Sequence, residues 1–285
     1  KIDLFIGIDS PDFNMGIHKA LKKKNINKNI QVVSPSVWGW RQNRIKSIQA
    51  NIDLTLCLFN FEDNFYKKEG HKSFHLGHPF SKLNKIDRVD VLKKYNLDED
   101  KKYLSVLPGS RASELQDMLP VYKEFIKEHS QENNEYLYLI PAADKKLMEV
   151  LKKSFHESNL PVLIKENSMR EFLSISELSI VTSGTASLES AVLGCSPIIC
   201  YKTNFINYSI ISRMLKVDNI GLPNLLLDNR YFVELLQNDF NKKNIKNAIK
   251  ETLLLKENSE TIAESLKEML KGRGYSDAAR ELTLI

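Results

Sequence analysis

Short apolar runs recur along this chain, and between them lie stretches whose apolar positions repeat every third or fourth residue. In the first part, Asp3–Ile8, Ile30–Ser34, Asp53–Phe59 and Ser73–Gly77 predict strands, and Gly16–Lys24, Arg41–Ala50 and Phe61–Glu69 predict helices. A polar stretch, Ser81–Asp87, reads as a linker, after which the pattern restarts. Strands are expected at Lys102–Leu107, Tyr136–Ile140, Pro161–Lys165, Leu178–Thr182 and Ser196–Tyr201, and helices at Arg111–Glu128, Lys145–Ser158, Met169–Ile175 and Thr185–Leu193. From Asn204 onward the pattern is helical, ending in Lys242–Leu255, Thr261–Lys271 and Ser276–Leu282.

Alternation of this kind with short links predicts an α/β fold of parallel, doubly wound sheets. Its restart predicts two Rossmann-like domains facing across a cleft, residues 1–82 and residues 83–285, the second carrying the C-terminal helices. Ligands in such sheets bind beyond the carboxyl ends of the strands. The first strand is apolar enough to expect neighbours on both sides within a sheet, yet the chain opens on it at Lys1, so further sequence upstream is expected.

Composition narrows the classes. The 285 residues are 42% hydrophobic and 27% charged, enough to bury two cores. No apolar run approaches the roughly 20 residues that cross a bilayer. Cys57, Cys195 and Cys200 lie in or beside apolar strands without metal-ligand spacing and read as buried thiols of a reducing compartment. A net charge of +5 suits an anionic partner without choosing among nucleotide, phosphorylated lipid and nucleic acid.

Polar clusters fall at several strand tips. In GIDSPDFN, Asp9 directly follows a strand, with Asp12 and Asn14 in the loop; a carboxylate there is either a general base or a cap of the next helix. In LPGSRASE, the turn Pro108-Gly109-Ser110 leads to Arg111 at a helix start, with Glu114 one turn in. Free amides, the helix dipole and a guanidinium there favour phosphate, although the Walker ending is absent; a plain strand-to-helix turn is the alternative. TSGTASLES repeats the design: Ser183, Gly184 and Thr185 can cap a helix and donate to phosphate, and Glu189 can accept ribose hydroxyls. His71, His75 and His78 have the wrong periodicity for a metal site and read as structural. Asn204–Lys216 is apolar on several sides with basic flanks, which fits either an anionic membrane surface or a core helix. VSPSVWGWRQNR places both tryptophans, Trp38 and Trp40, beside Arg41 and Arg44 where a strand ends.

GIDSPDFN, VSPSVWGWRQNR, LPGSRASE, TSGTASLE and GLPNLL stand in the order and approximate spacing of bacterial lipid-A-disaccharide synthases. The chain resembles that family of inverting GT-B glycosyltransferases over essentially its whole length, most specifically in the double-tryptophan segment. The resemblance implies transfer of 2,3-diacylglucosamine from UDP to 2,3-diacylglucosamine 1-phosphate, releasing UDP and forming a β-1,6 disaccharide. It implies Asp9 as general base, Arg111 as an essential arginine and Asn224 as a further active-site position. Substrate contacts are then expected from Trp38, Trp40, Arg41, Gly109, Ser110, Glu114, Ser183, Gly184, Thr185 and Glu189, with no cofactor, no metal and no nucleic acid. A cytoplasmic protein, peripheral on the inner face of the inner membrane, follows from the same likeness, with self-association left open.

Two features depart from the family. Its glycine-rich GE-x-SGD segment has no counterpart, as if roughly eighty residues of a member precede Lys1. Lys82 stands where members often carry aspartate. The rival readings are another UDP-sugar enzyme of this architecture, such as the peptidoglycan N-acetylglucosaminyltransferase or a UDP-N-acetylglucosamine epimerase, and a non-catalytic UDP- or lipid-binding fragment.

Overall fold

The computed structural model describes residues 3–24, 28–38, 42–156, 159–203, 219–254 and 258–283. They form two α/β units: one holds the described residues within 1–82 and 267–283, the other those within 83–203 and 219–266. The C-terminal segment, read from the sequence as part of the second domain, clusters with the first.

In the first unit, β1 (Phe5–Ile8), β2 (Asn29–Val32), β3 (Leu54–Cys57) and β4 (Ser73–His75) form a parallel sheet in that order. Between them run α1 (Pro11–Lys23), α2 (Ile45–Asn51) and α3 (Asn60–Lys68). Strand alternation sends Leu54 and Leu56 to one face, where they pack with Ile30, Phe74 and Ala278. Cys57 points to the other face, with Ile45, Ile48 and Tyr66. Ala278 comes from the helix Gly274–Thr283, which closes the first face. Its approach depends on two glycines, because a Cβ on Gly272 would lie 2.2 Å from the Gly77 amide nitrogen and one on Gly77 2.5 Å from that of Gly272. Around this crossing His78 N donates to Leu270 O, Arg273 N to His75 O and Gly274 N to Leu76 O. β1 is an edge strand, pairing with β2 alone among the described residues, and Ile6 and Ile8 are 40% and 68% exposed, apolar positions without the second neighbour that the strand's composition predicts.

The second unit holds a six-stranded parallel sheet: β5 (Lys102–Leu107), β6 (Tyr136–Ala142), β7 (Val162–Glu166), β8 (Leu178–Thr182), β9 (Ser196–Tyr201) and β10 (Glu234–Leu236). Helices α4 (Arg88–Tyr95), α5 (Ala112–Glu132), α6 (Lys145–Phe155), α7 (Met169–Ile175) and α8 (Thr185–Val192) alternate with them. The spatial order is β10-β9-β8-β5-β6-β7. Winding therefore begins at β5, runs outward through β6 and β7, then restarts on the other side with β8. That reversal opens a crevice beyond the carboxyl ends of β5 and β8, the place where doubly wound sheets hold ligands. β5 is buried on both faces, Leu104 and Val106 in the larger core and Tyr103 in the smaller, which explains why only Ser105 interrupts its apolar run. The tail read as wholly helical contains β10; three residues with a buried glutamate among them give no strand pattern.

Candidate functional site

A cavity of about 660 Å³ occupies the crevice of the second unit. It is lined at the tip of β5 by Gly109, Ser110, Arg111 and Glu114, and at the tip of β8 by Ser183, Gly184, Thr185 and Glu189. Two loops recognised separately in the sequence thus share one pocket.

The β5 tip is built around Glu114. Its Oε2 accepts the Ser110 and Arg111 amides, each at 3.2 Å, and its Oε1 accepts from Arg111 Nη1 at 3.3 Å. Glu114 therefore caps α5 from inside its first turn, and these two amides are not free donors as the sequence suggested. The carboxylate sits so close to the turn that a Cβ on Gly109 would lie 2.7 Å from it, and Gly109 has φ +104°. Only glycine accommodates both conditions. The Arg111 side chain is 80% exposed and, among the described residues, pairs with Glu114 alone, so its remaining donors face the cavity or solvent.

The β8 tip is open. Gly184 is the N-cap of α8, and no side chain caps it. The hydroxyl of Ser183, expected to cap, turns away and donates to Ile220 O at 3.4 Å. Among the described residues a Cβ on Gly184 would meet nothing within 4 Å, so this backbone face is bare of them. Burial pushes the Glu189 carboxyl above the usual carboxylate range, with partial relief from the Arg170 charge.

Arg170 is a lining residue that the sequence reading missed. Asn167, at φ +50°, ends the strand before it, and Arg170 enters the helix that follows, as Gly109 and Arg111 do at β5. That parallel was a usable signal. Its guanidinium is held by Asn84 O through Nε at 2.9 Å and Nη2 at 2.7 Å.

Asn224 does not line the cavity. It is fully buried, donating to Phe232 O at 2.8 Å and Glu234 Oε1 at 2.9 Å and accepting from Phe232 N at 2.9 Å. Glu234 in turn accepts the amides of Ile220 and Gly221. Asn224 braces the segment whose carbonyl receives the Ser183 hydroxyl.

In the first unit, Asp9 is exposed at the tip of β1 in a left-handed conformation, φ +52°, followed by Ser10 at φ +36°. Val33, at the tip of β2, has φ +69°, unusual for a β-branched residue. Asn14 Nδ2 donates to Asp9 O at 2.7 Å, and Gln31 Nε2 to Asp9 O at 3.0 Å, Val32 O at 3.0 Å and Val33 O at 3.3 Å. Two buried amides thus hold strained backbone, a pattern that concentrates at functional sites. Asp12 does not cap α1; it pairs with Arg44 at 2.5 Å.

Trp38 is half-buried, its indole N–H donating to Glu62 Oε1 at 3.2 Å and its ring edge-on to Phe61 at 4.7 Å. Phe59 stacks on Phe61 and on His78, each at 5.4 Å, extending a row of rings across the tips of β2, β3 and β4. Burial lowers the His78 imidazole to about 4, so it stays neutral within this row. His71 bonds Thr55 Oγ1 at 2.9 Å, and among the described residues no group of three His, Cys, Asp or Glu could hold a metal ion. All three cysteines are buried. Trp40, Arg41 and Asn204–Lys216 lie outside the described residues. Among the described residues no helix is long and apolar enough to cross a membrane.

Comparison with known proteins gives a consistent picture. The lipid-A-disaccharide synthetase family profile matches residues 1–281. Lipid-A-disaccharide synthase 2 of Legionella pneumophila (strain Philadelphia 1) is 37% identical over 87% of this chain, which spans 65% of that protein. Lipid-A-disaccharide synthase of Acinetobacter baylyi is 32% identical over the whole chain, which spans 76% of it. Among solved structures, an S. aureus MnaA–UDP co-structure aligns with a TM-score of 0.58 at 16% identity, covering 99% of this chain and 74% of that one. UDP-GlcNAc 2-epimerase from Neisseria meningitidis bound to UDP-GlcNAc aligns with a TM-score of 0.55 at 12% identity, covering 99% and 76%. At such identities these two likenesses show the fold alone.

Proposed function

This chain belongs to the lipid-A-disaccharide synthase family, and from that premise we propose that it transfers 2,3-diacylglucosamine from UDP to 2,3-diacylglucosamine 1-phosphate. The observation that carries this reading is the cavity at the sheet reversal of the second unit, lined by the Gly109–Glu114 turn and the Gly184–Glu189 helix start. A UDP-sugar fits it as follows. The bare backbone at Gly184 and Thr185 and the Arg111 guanidinium meet the diphosphate, and Glu189 takes the ribose hydroxyls. Arg170 adds a second positive charge to the wall, and Ser110 shapes the turn. Asn224 acts from behind the site by bracing the segment that Ser183 bonds.

Asp9 is the general base. Its carboxylate takes the proton of the acceptor's 6-hydroxyl as that oxygen attacks the anomeric carbon; the bond from that carbon to the diphosphate oxygen breaks, its electron pair leaves with UDP, and the configuration inverts. Arg111 and the start of α8 stabilise the charge that develops on the departing diphosphate. The row of rings from Trp38 to His78 offers acyl chains an apolar wall; Trp40 and Arg41 are assigned substrate contact from the family resemblance alone, with Arg41 or Arg44 meeting the acceptor phosphate. This activity places the protein at the inner face of the inner membrane, where its acylated substrates reside.

The test is mass spectrometry of the purified protein with UDP-2,3-diacylglucosamine and the acceptor. Disaccharide should form, Asp9→Asn should abolish it with UDP affinity nearly intact, and Arg111→Ala should weaken both. Turnover of an unacylated sugar nucleotide with no disaccharide would remove the proposal in favour of another UDP-sugar enzyme.

A further inference from the structure

The first unit buries a carboxylate that the transfer chemistry does not use. Glu62 is 5% exposed, and its Oε2 accepts the amides of Leu58 and Phe59 at 3.2 Å each, which caps α3. Capping does not account for its other oxygen. Oε1 accepts the indole N–H of Trp38, which arrives from the loop after β2 and rests its ring edge on Phe61, the neighbour of Glu62 in α3. One side chain thus ties the tip of β2 to the tip of β3.

We propose that Glu62 is the positioning residue of Trp38, fixing the angle at which the indole meets the apolar part of a lipid-linked sugar in the first unit. This deepens the reading above and rests on it for the identity of the substrate. Burial pushes the Glu62 carboxyl up to about 7, against the opposing pull of hydrogen bonds from Phe59, Trp38, Leu58 and Ser34. Among the described residues, the groups around it offer no countercharge. Burial keeps the Cys57 thiol and the Tyr66 hydroxyl protonated, and Asp63 is paired with Lys67 and Ser73, each at 2.6 Å. A proton placed on Oε1 turns the acceptor facing Trp38 into a hydroxyl facing an N–H, while Oε2 keeps both amides. Protonation near neutrality therefore releases the indole and leaves α3 capped.

Trp38 can be watched alone. The chain has two tryptophans, so Trp40→Phe leaves Trp38 as the only indole. Its emission should titrate with a midpoint near pH 7, shifting to the red on the acid side as the indole gains solvent, and the titration should vanish when Glu62→Gln is added. Emission that is flat from about pH 5 to 9 in the Trp40→Phe chain overturns the clamp, and so does a titration unchanged by Glu62→Gln. The first outcome is decisive even if Glu62→Gln fails to fold. In turnover, Glu62→Gln should raise KM for the lipid acceptor severalfold with kcat little changed and UDP affinity intact. An unaltered KM overturns the positioning role. Failure of the wild-type protein to make disaccharide would refute the reaction instead, because the emission titration needs no turnover.

Discussion

Replacing Gly109 by alanine tests how the turn after β5 is built. Two costs add. The backbone at φ +104° is one that an L side chain rarely adopts, and holding a residue in such a region costs about 1–3 kcal/mol. The new Cβ would also lie 2.7 Å from Glu114 Oε2, so the carboxylate must swing away and give up the Ser110 and Arg111 amides. Each such bond contributes about 0.5–1.5 kcal/mol. Because the carboxylate is the end of a flexible side chain, part of this relaxes, leaving a loss of about 2–4 kcal/mol, or roughly 5–15 °C in Tm for a unit of this size. Differential scanning calorimetry reads the stability, and a cycle with Glu114→Ala reads the cause. In the Glu114→Ala background the 2.7 Å clash is gone and only the 3.1 Å approach to the Cβ of residue 114 remains, so Gly109→Ala should cost measurably less there than in the wild type. Strictly additive losses, or a Gly109→Ala protein as stable as the wild type, would refute this account of the turn.

Three other outcomes follow from the same structure. Asn224→Ala leaves Phe232 and the buried Glu234 short of partners and should destabilise the second unit by about 2–4 kcal/mol, read by urea denaturation; a loss below about 1 kcal/mol contradicts the bracing role. Gly272→Ala forces a Cβ against the backbone at Gly77 and should expose the C-terminal helix to limited proteolysis, whereas wild-type resistance contradicts the crossing. Burial lowers the His71 imidazole to about 4, as it does His78. The unfolded chain binds those protons from about pH 6.5 downward while the folded chain does not, so their share of stability is full above about pH 6.5 and is lost as pH falls toward 4. His71→Gln should move the acid unfolding midpoint, followed by near-ultraviolet circular dichroism, to lower pH; an unmoved midpoint contradicts it.

The sheet of the second unit was legible because its central strands are buried on both faces. β5, β8 and β9 read as mainly apolar runs with the observed bounds. β10 escaped because it is only three residues long and one of them is a buried glutamate. The turns after β5 and β8 were recognisable from glycine, hydroxyl and arginine at strand ends, and the structure joins them in one cavity. Less visible was what each side chain does there. Glu114 three residues after Arg111 is a capping spacing, but arginine is an unusual cap residue and the spacing was not read as one. Trp38 was singled out, whereas its partner Glu62 was not, because a contact 24 residues away leaves no local pattern. For the same reason the return of the chain end to the first unit rests on a meeting of Gly77 and Gly272 that only the fold reveals.

A structure determined with UDP bound tests the central claim most directly. The account predicts the diphosphate against the amides of Gly184 and Thr185 and the Arg111 guanidinium, with the ribose hydroxyls on Glu189. UDP seated away from the β5 and β8 tips, or a Glu189→Ala protein that binds UDP as tightly as the wild type, would contradict it.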